Sequence, residues 1–335
     1  MIRFIGMGEM SLPLQAWINA AEMGLIFAIM ALGVYLPFRV LDFPDLTVDG
    51  SFVTGAGTAA VMIHFGHSPY LALVCAFIAG FVAGMATGIL HTKGKINNLL
   101  SGILMMIALY SINLRIMGLV DKNVISKPNI PLLNRETLFT RLEAFPGIPG
   151  SDRWGILIFM AVLALLFKYF TDYFLKTEVG LALRAVGDNP QMIRSFSANT
   201  DHLIILGVGL SNAYVAFSGA LMAQYLEYSD INMGIGMIVV GLASVIIGEA
   251  IVGTKTIFRA TLAVIIGSIL YRMIISFALS RGFLEASDQK LITAIIVILA
   301  LIIPKGLGKI RGRKRKDQRI GKMERKKSGE ERTIA

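Results

Sequence analysis

Long apolar runs separated by short polar connections extend over most of the chain. A helix needs about 20 predominantly apolar residues to cross the hydrocarbon layer. On that measure the pattern predicts nine spans, at 16–38, 46–65, 68–92, 96–117, 153–175, 203–226, 232–252, 257–280 and 287–304. The second and seventh are glycine-rich and interrupted by polar residues, so the range is eight to ten. The expected fold is an all-α polytopic membrane protein, with a transmembrane domain over residues 1–304 and a separate tail over 305–335.

One interruption is of a different kind. RVLDFPDLTVDGSFVTGAG, residues 39–57, places Pro44, Asp42, Asp45 and Asp49 where an apolar helix ought to continue. Proline removes a backbone donor and turns the preceding residue away from helix, and each carboxylate is costly against lipid. Irregular backbone at membrane depth survives only where protein or a water-filled cavity surrounds it, and discontinuous helices of this kind build binding sites in transporters. A break is therefore predicted between about Asp42 and Asp49. Asp45, Thr47, Asp49 and Ser51 are expected to cap the helix that follows and to lie along a solute pathway, and a buried cation would be a suitable partner for Asp49. The plainer alternative is that the carboxylates only cap helices and pair with basic residues near the inner interface.

Small residues recur elsewhere at helical spacing. Gly80, Gly84 and Gly88 share one face of the third span, and Gly207 and Gly209, with Ser211 and Ser218, mark the sixth. Both stripes predict close backbone approach to a neighbouring helix.

Composition agrees with the pattern. With 55% hydrophobic and 16% charged residues and a mean hydropathy of +0.68, the chain has too little polar material to clothe a soluble globule. Its net charge of +10 is concentrated in residues 305–335, which hold 13 lysines and arginines against 4 acidic residues. No aromatic residue in that tail could stack on a base, so a membrane-surface role is expected and no nucleic acid is implied. Lys93 and Lys95, then Lys176, Arg184 and Arg194, then Lys255 and Arg259 fall in alternate connections. The positive-inside rule puts all three, and the C-terminus, in the cytoplasm. The 119–152 connection, with Pro128, Pro131, Pro146 and Pro149, is then external and predicted to form a small cap. The first residues lack a cleavable leader pattern. A single cysteine, Cys75, allows no internal disulfide.

LKTEVGLALRAVGDNPQMIRSFSANTDH, residues 175–202, is a second informative stretch. It combines an amphipathic segment carrying Leu181, Leu183, Val186 and Arg184 with a Gly187-Asp188-Asn189-Pro190 break, which suggests a docking element in the 176–201 loop. Together with ALGVYLPFRVLDFPDLTVDGSFVTGAG it resembles permease subunits of bacterial ATP-binding-cassette importers, in the superfamily of branched-chain amino acid and ribose permeases. The LDFPDLTVDGSF string is similar to a subgroup linked to tryptophan or tyrosine uptake, and the likeness extends over about residues 20–303. The resemblance implies a type II importer permease in the bacterial cytoplasmic (inner) membrane, paired with a second copy. It also implies an external solute-binding protein, periplasmic or a lipoprotein, and a separate ATPase that carries the ATP and magnesium. The amino-acid solute, with aromatic ones in view, is likewise implied by it. Leu183, Arg184, Gly187, Asp188, Asn189 and Pro190 are the positions that this likeness assigns to coupling with the ATPase.

The chain carries no ATPase signature of its own. Gly248-Glu-Ala-Ile-Val-Gly253-Thr254-Lys255 has threonine where the phosphate-binding lysine should follow the glycine, and no HExxH or GxSxG is present. Gly207-Val-Gly209-Leu-Ser-Asn212 fails the dinucleotide pattern at its last glycine, and His64 with His67 lacks further metal ligands nearby. No catalytic residue, metal site or resident cofactor is expected. Asn212, Gln224, Glu249 and Arg272 remain as polar groups in apolar spans. Asn212 is the candidate for a pathway contact, Glu249 is expected to pair with Lys255 or Arg259, and Arg272 to meet backbone carbonyls. An ion-coupled secondary transporter is the rival reading, and a membrane-embedded enzyme would need a catalytic constellation that is not visible.

Overall fold

The computed structural model describes residues 12–121, 125–143, 154–195 and 199–280, with positions 291, 293–295 and 298. Eight of the nine expected runs are long helices. They are α1 (Leu12–Tyr35), α2 (Thr47–His64), α3 (Pro69–Thr92), α4 (Asn98–Gly118), α6 (Trp154–Phe174), α9 (Thr200–Leu226), α10 (Met237–Val252) and α11 (Ile257–Ser280). Between them lie three short helices, α5 (Leu138–Glu143), α7 (Glu178–Asp188) and α8 (Pro190–Ser195), and two three-residue strands. Most of the ninth run and the whole basic tail lie outside the described residues.

Seven of the eight belong to segments apolar and long enough to cross a membrane, α10 only together with the turn before it, in the span Ile231–Val252; α2, with its threonines, glycines and aspartate, is the exception. It sits inside the protein, walled by α3, α4 and α9. The most apolar windows of α1 and α9 are 83% and 78% buried, against 22% for α4. So α1, α2 and α9 form the interior, and the other helices present apolar faces outward.

Small residues let these helices meet. A Cβ on Gly80 would stand 2.4 Å from the Asn212 carbonyl oxygen, one on Gly84 2.4 Å from that of Val208, and one on Gly88 2.8 Å from Ile205 Cα. The expected α3 stripe therefore lies directly on α9. From the other side α2 approaches as closely, since a Cβ on Gly55 would be 1.8 Å from the Ala216 carbonyl oxygen. Hydroxyls that would be costly in hydrocarbon are spent on carbonyls across helix pairs. Ser211 donates to Gly33 O and Ser218 to Ile26 O, each at 2.8 Å, and Ser268 donates to Gly24 O at 2.7 Å.

At one end of the bundle, β1 (Asn129–Pro131) pairs antiparallel with β2 (Tyr228–Asp230), with Ile130 opposite Ser229. The Leu138 N–H donates to Gln224 Oε1 at 3.0 Å. Gln224 thus fastens the 119–152 connection to the top of α9. At the opposite end lie α7, α8 and the α10–α11 connection.

Candidate functional site

The expected break is present. Helix α1 widens into a π-helical turn, Leu36–Val40, as Pro37 enters the backbone, and regular structure stops at Leu41. Asp42 takes a left-handed φ of 50°, and the Phe43 N–H turns back to the Pro37 carbonyl at 2.8 Å. Helix α2 then starts at Thr47.

Each candidate side chain in the break has a distinct task. Asp45, 3% exposed, accepts the Thr47 N–H on one oxygen at 2.9 Å and the Asn212 amide on the other at 2.6 Å. Asp45 therefore caps the start of α2 and ties it to α9, and the structure brings Asn212 to it, 167 positions away in the chain. Thr47 meets the Thr87 hydroxyl on α3 at 2.8 Å. Ser51 Oγ is buried and without a hydrogen-bond partner among the described residues. Asp49 does not cap its own helix and pairs with no cation among the described residues. Its two oxygens accept the N–H groups of Gly236 and Ile238 at 2.9 and 2.8 Å, which caps the start of α10.

This last contact has a geometric cause. The chain after β2 turns inward through a 3₁₀ helix, Ile231–Gly234, and Gly234 lies so close to α2 that a Cβ there would be 2.1 Å from the Asp49 carbonyl oxygen. Helix α10 consequently begins inside the bundle. At 1.5 Å per residue Asp49 lies about 22 Å from His64 at one end of α2, and Ile238 about 17 Å from Glu249 near the far end of α10. The Asp49 carboxylate sits near mid-depth. Beside it opens a chamber of about 460 Å³ between α2, α4 and the 3₁₀ turn.

At the opposite end the amphipathic segment of the 176–201 loop is the helix α7, whose start is capped by the Thr177 hydroxyl. Leu183 and Val186 are buried, whereas Val179, Leu181, Arg184, Asp188, Asn189 and Pro190 face outward. Leu181, 52% exposed, belongs to the outer face and not to the packed one. Gly187 faces inward, since a Cβ there would be 2.0 Å from the Val40 carbonyl oxygen. Leu41, the first residue of the break, and Leu183 both fill the notch left by Gly207 on α9. The inner face of α7 therefore rests on the π-turn and the break.

One expectation about pairing is corrected. Glu249 binds neither Lys255 nor Arg259; its carboxylate takes a two-pronged contact from Arg39 of the π-turn, with Nε at 2.8 Å from Oε1. Packing of α1 against α10 brings that pair together, a proximity that no local spacing encodes. Arg272 lies over the Phe27 ring, 5.0 Å from its centroid. A further pair went unread in the sequence. Lys168 and Asp172 on α6 are both buried and joined at 2.6 Å, with Thr261 donating to the second carboxylate oxygen at 2.6 Å and the Lys168 ammonium 3.3 Å from the Phe258 ring centroid. The i, i+4 spacing in FKYFTDYF was the available signal.

Residues 17–303 match the family described as branched-chain amino acid transport system / permease component. A tyrosine transport system permease protein of Clostridioides difficile is 47% identical over 288 residues, covering 85% of this chain and 90% of that one. An uncharacterized protein of Rickettsia prowazekii is 33% identical over 293 residues, covering 85% and 96%. The high-affinity branched-chain amino acid transport system permease protein LivH of Escherichia coli is 26% identical over 318 residues, covering 88% and 94%. With its family match spanning nearly all the membrane helices, this chain belongs to the branched-chain amino acid permease family of ABC transporters.

Proposed function

We propose that this chain is the membrane subunit of an ATP-driven importer of a small solute, an amino acid, with aromatic ones in view. The family match carries the proposal, and the 47% identity to a protein named for tyrosine transport narrows the solute. In this reading two copies enclose one pathway, an external binding protein delivers the solute, and an ATPase carrying ATP and magnesium docks on the outer face of α7. The three basic connections and the tail then lie in the cytoplasm, and the strand pair lies outside.

The form of α7 supports a docking role. It is an 11-residue amphipathic helix whose inner face is packed and whose outer face leaves Val179 at 42% and Leu181 at 52% exposure. Pushed from outside, such a helix acts on the π-turn and the break, and through α2 on Asp49 and α10.

The test is uptake of labelled tyrosine into vesicles holding the permease, its ATPase and the binding protein. Uptake is expected to require ATP, and Leu181→Asp or Val179→Asp is expected to lower it at least tenfold at an unchanged amount of permease. Uptake driven by an ion gradient without ATP overturns the importer reading, and full activity of both variants overturns the docking face.

A further inference from the structure

We propose that the chamber beside Asp49 is a solute subsite that takes a small zwitterion with an apolar or aromatic side chain, its ammonium group on Asp49. This deepens the importer reading and rests on it for the identity of the probe.

The chamber is built for such a ligand. It is a cleft open on one side, where Ile107, Tyr110 and Ile235 are each half exposed or more; its volume of about 460 Å³ falls in the range of roughly 300–1,000 Å³ typical of small-molecule sites, and its walls are mostly apolar with a few convergent polar groups. Val53, Met106 and Ile235 supply the apolar surface, and Tyr110 and Ser111 add hydroxyl-bearing side chains from one turn of α4. Among the described residues that line it, Asp49 is the only carboxylate and none is a lysine, arginine or histidine. Its oxygens are held in place by the two α10 amide groups, yet each carboxylate oxygen has a second lone pair. No basic side chain pairs with it among the described residues. A carboxylate at mid-depth in apolar surroundings is expensive unless a cation meets it. The α10 dipole offsets part of that cost, and the amine of an amino acid would offset the rest. Met106, Tyr110 and Ile235 would then flank an aromatic side chain, with thioether and ring contacts of the kind aromatics favour.

The position also fits passage. The chamber lies where α10 begins inside the bundle, and half-helices starting at mid-depth mark substrate sites in transporters. Its cap joins α2, which starts at the break above α7, to α10, whose far end is tied through Glu249 to the π-turn. A shift of α7 would therefore reach the chamber by two routes.

Two measurements test the proposal. In vesicles with the partner ATPase and binding protein, Ile235→Trp and Ile107→Trp fill the chamber and are expected to cut tyrosine uptake at least tenfold at an unchanged permease level. Ile158→Trp, on the outward face of α6, is expected to leave uptake unaltered. Separately, the purified permease carrying Cys75→Ser and Ser111→Cys is treated with a maleimide. L-Tyrosine is expected to slow labelling several-fold, while 3-(4-hydroxyphenyl)propionate, which has no ammonium group, is not, and Asp49→Asn is expected to abolish the protection. Normal uptake by both filling variants, or equal protection by the propionate, overturns the subsite. Protection by tyrosine in a permease that takes up no tyrosine would uphold the subsite and sink the importer reading.

Discussion

Among single residues the carboxylates divide by what they face. Asp45 and Asp49 bind amide groups and order backbone, whereas Asp172 is half of an ion pair enclosed by protein. Removing one member of a buried pair leaves an uncompensated charge and typically costs about 3–5 kcal/mol, while replacing both members with apolar residues is often neutral. Asp172→Ala is accordingly expected to lower the melting temperature of the purified permease sharply, and Lys168→Leu with Asp172→Leu to recover most of the loss. A single variant as stable as the parent would show that the pair contributes nothing. The sequence made the acidic character of 42–49 plain, because proline and aspartate cannot continue a lipid-facing helix. It did not reveal the partners. Asn212 reaches Asp45, and Gly236 reaches Asp49, from elements far along the chain, and periodicity records which face is polar but not which faces meet. Lys168 and Asp172 passed unread because two charges barely dent the hydropathy of a 21-residue helix.

Helices α3, α9 and α7 illustrate what element-scale patterns do convey. The α3 glycines were legible as a packing stripe because residues four apart must share a face, and their partner proves to be α9. The docking loop was legible from its amphipathic period, but the assignment of Gly187 to an outward contact would misplace it. With the Val40 carbonyl where a methyl group would lie, Gly187→Ala must push α7 away from the π-turn. Transport is expected to fall at least tenfold in that variant, whereas Leu181→Ala, which thins the docking face but adds no charge and leaves the packing of α7 on the π-turn intact, is expected to lower it less. Equal effects of the two, measured as uptake per unit of permease, would separate α7 from the π-turn in function. The π-turn itself was not foreseen, since proline near the end of a helix is equally compatible with a simple stop.

For the whole molecule, the alternation of charged connections predicts an orientation, and the two ends of the bundle give it a direct check. Ser126 and Thr254 are both exposed and lie at opposite ends. In a Cys75→Ser background, cysteine placed at Thr254 is expected to react with an impermeant maleimide only from the cytoplasmic side, and cysteine at Ser126 only from outside. The reverse pattern would invert the orientation. The cap on α10 also bears on how the chain is made. The amides of Gly236 and Ile238 are satisfied by a carboxylate placed 187 and 189 positions earlier, so this half-helix cannot reach its buried resting place on its own local chemistry. Synthesis runs from the N-terminus, and Asp49 is already in the membrane when α10 emerges. The late helix thus finds a waiting partner, and segments exchanged or reordered between relatives would have to carry α2 and α10 together for the chain to insert correctly.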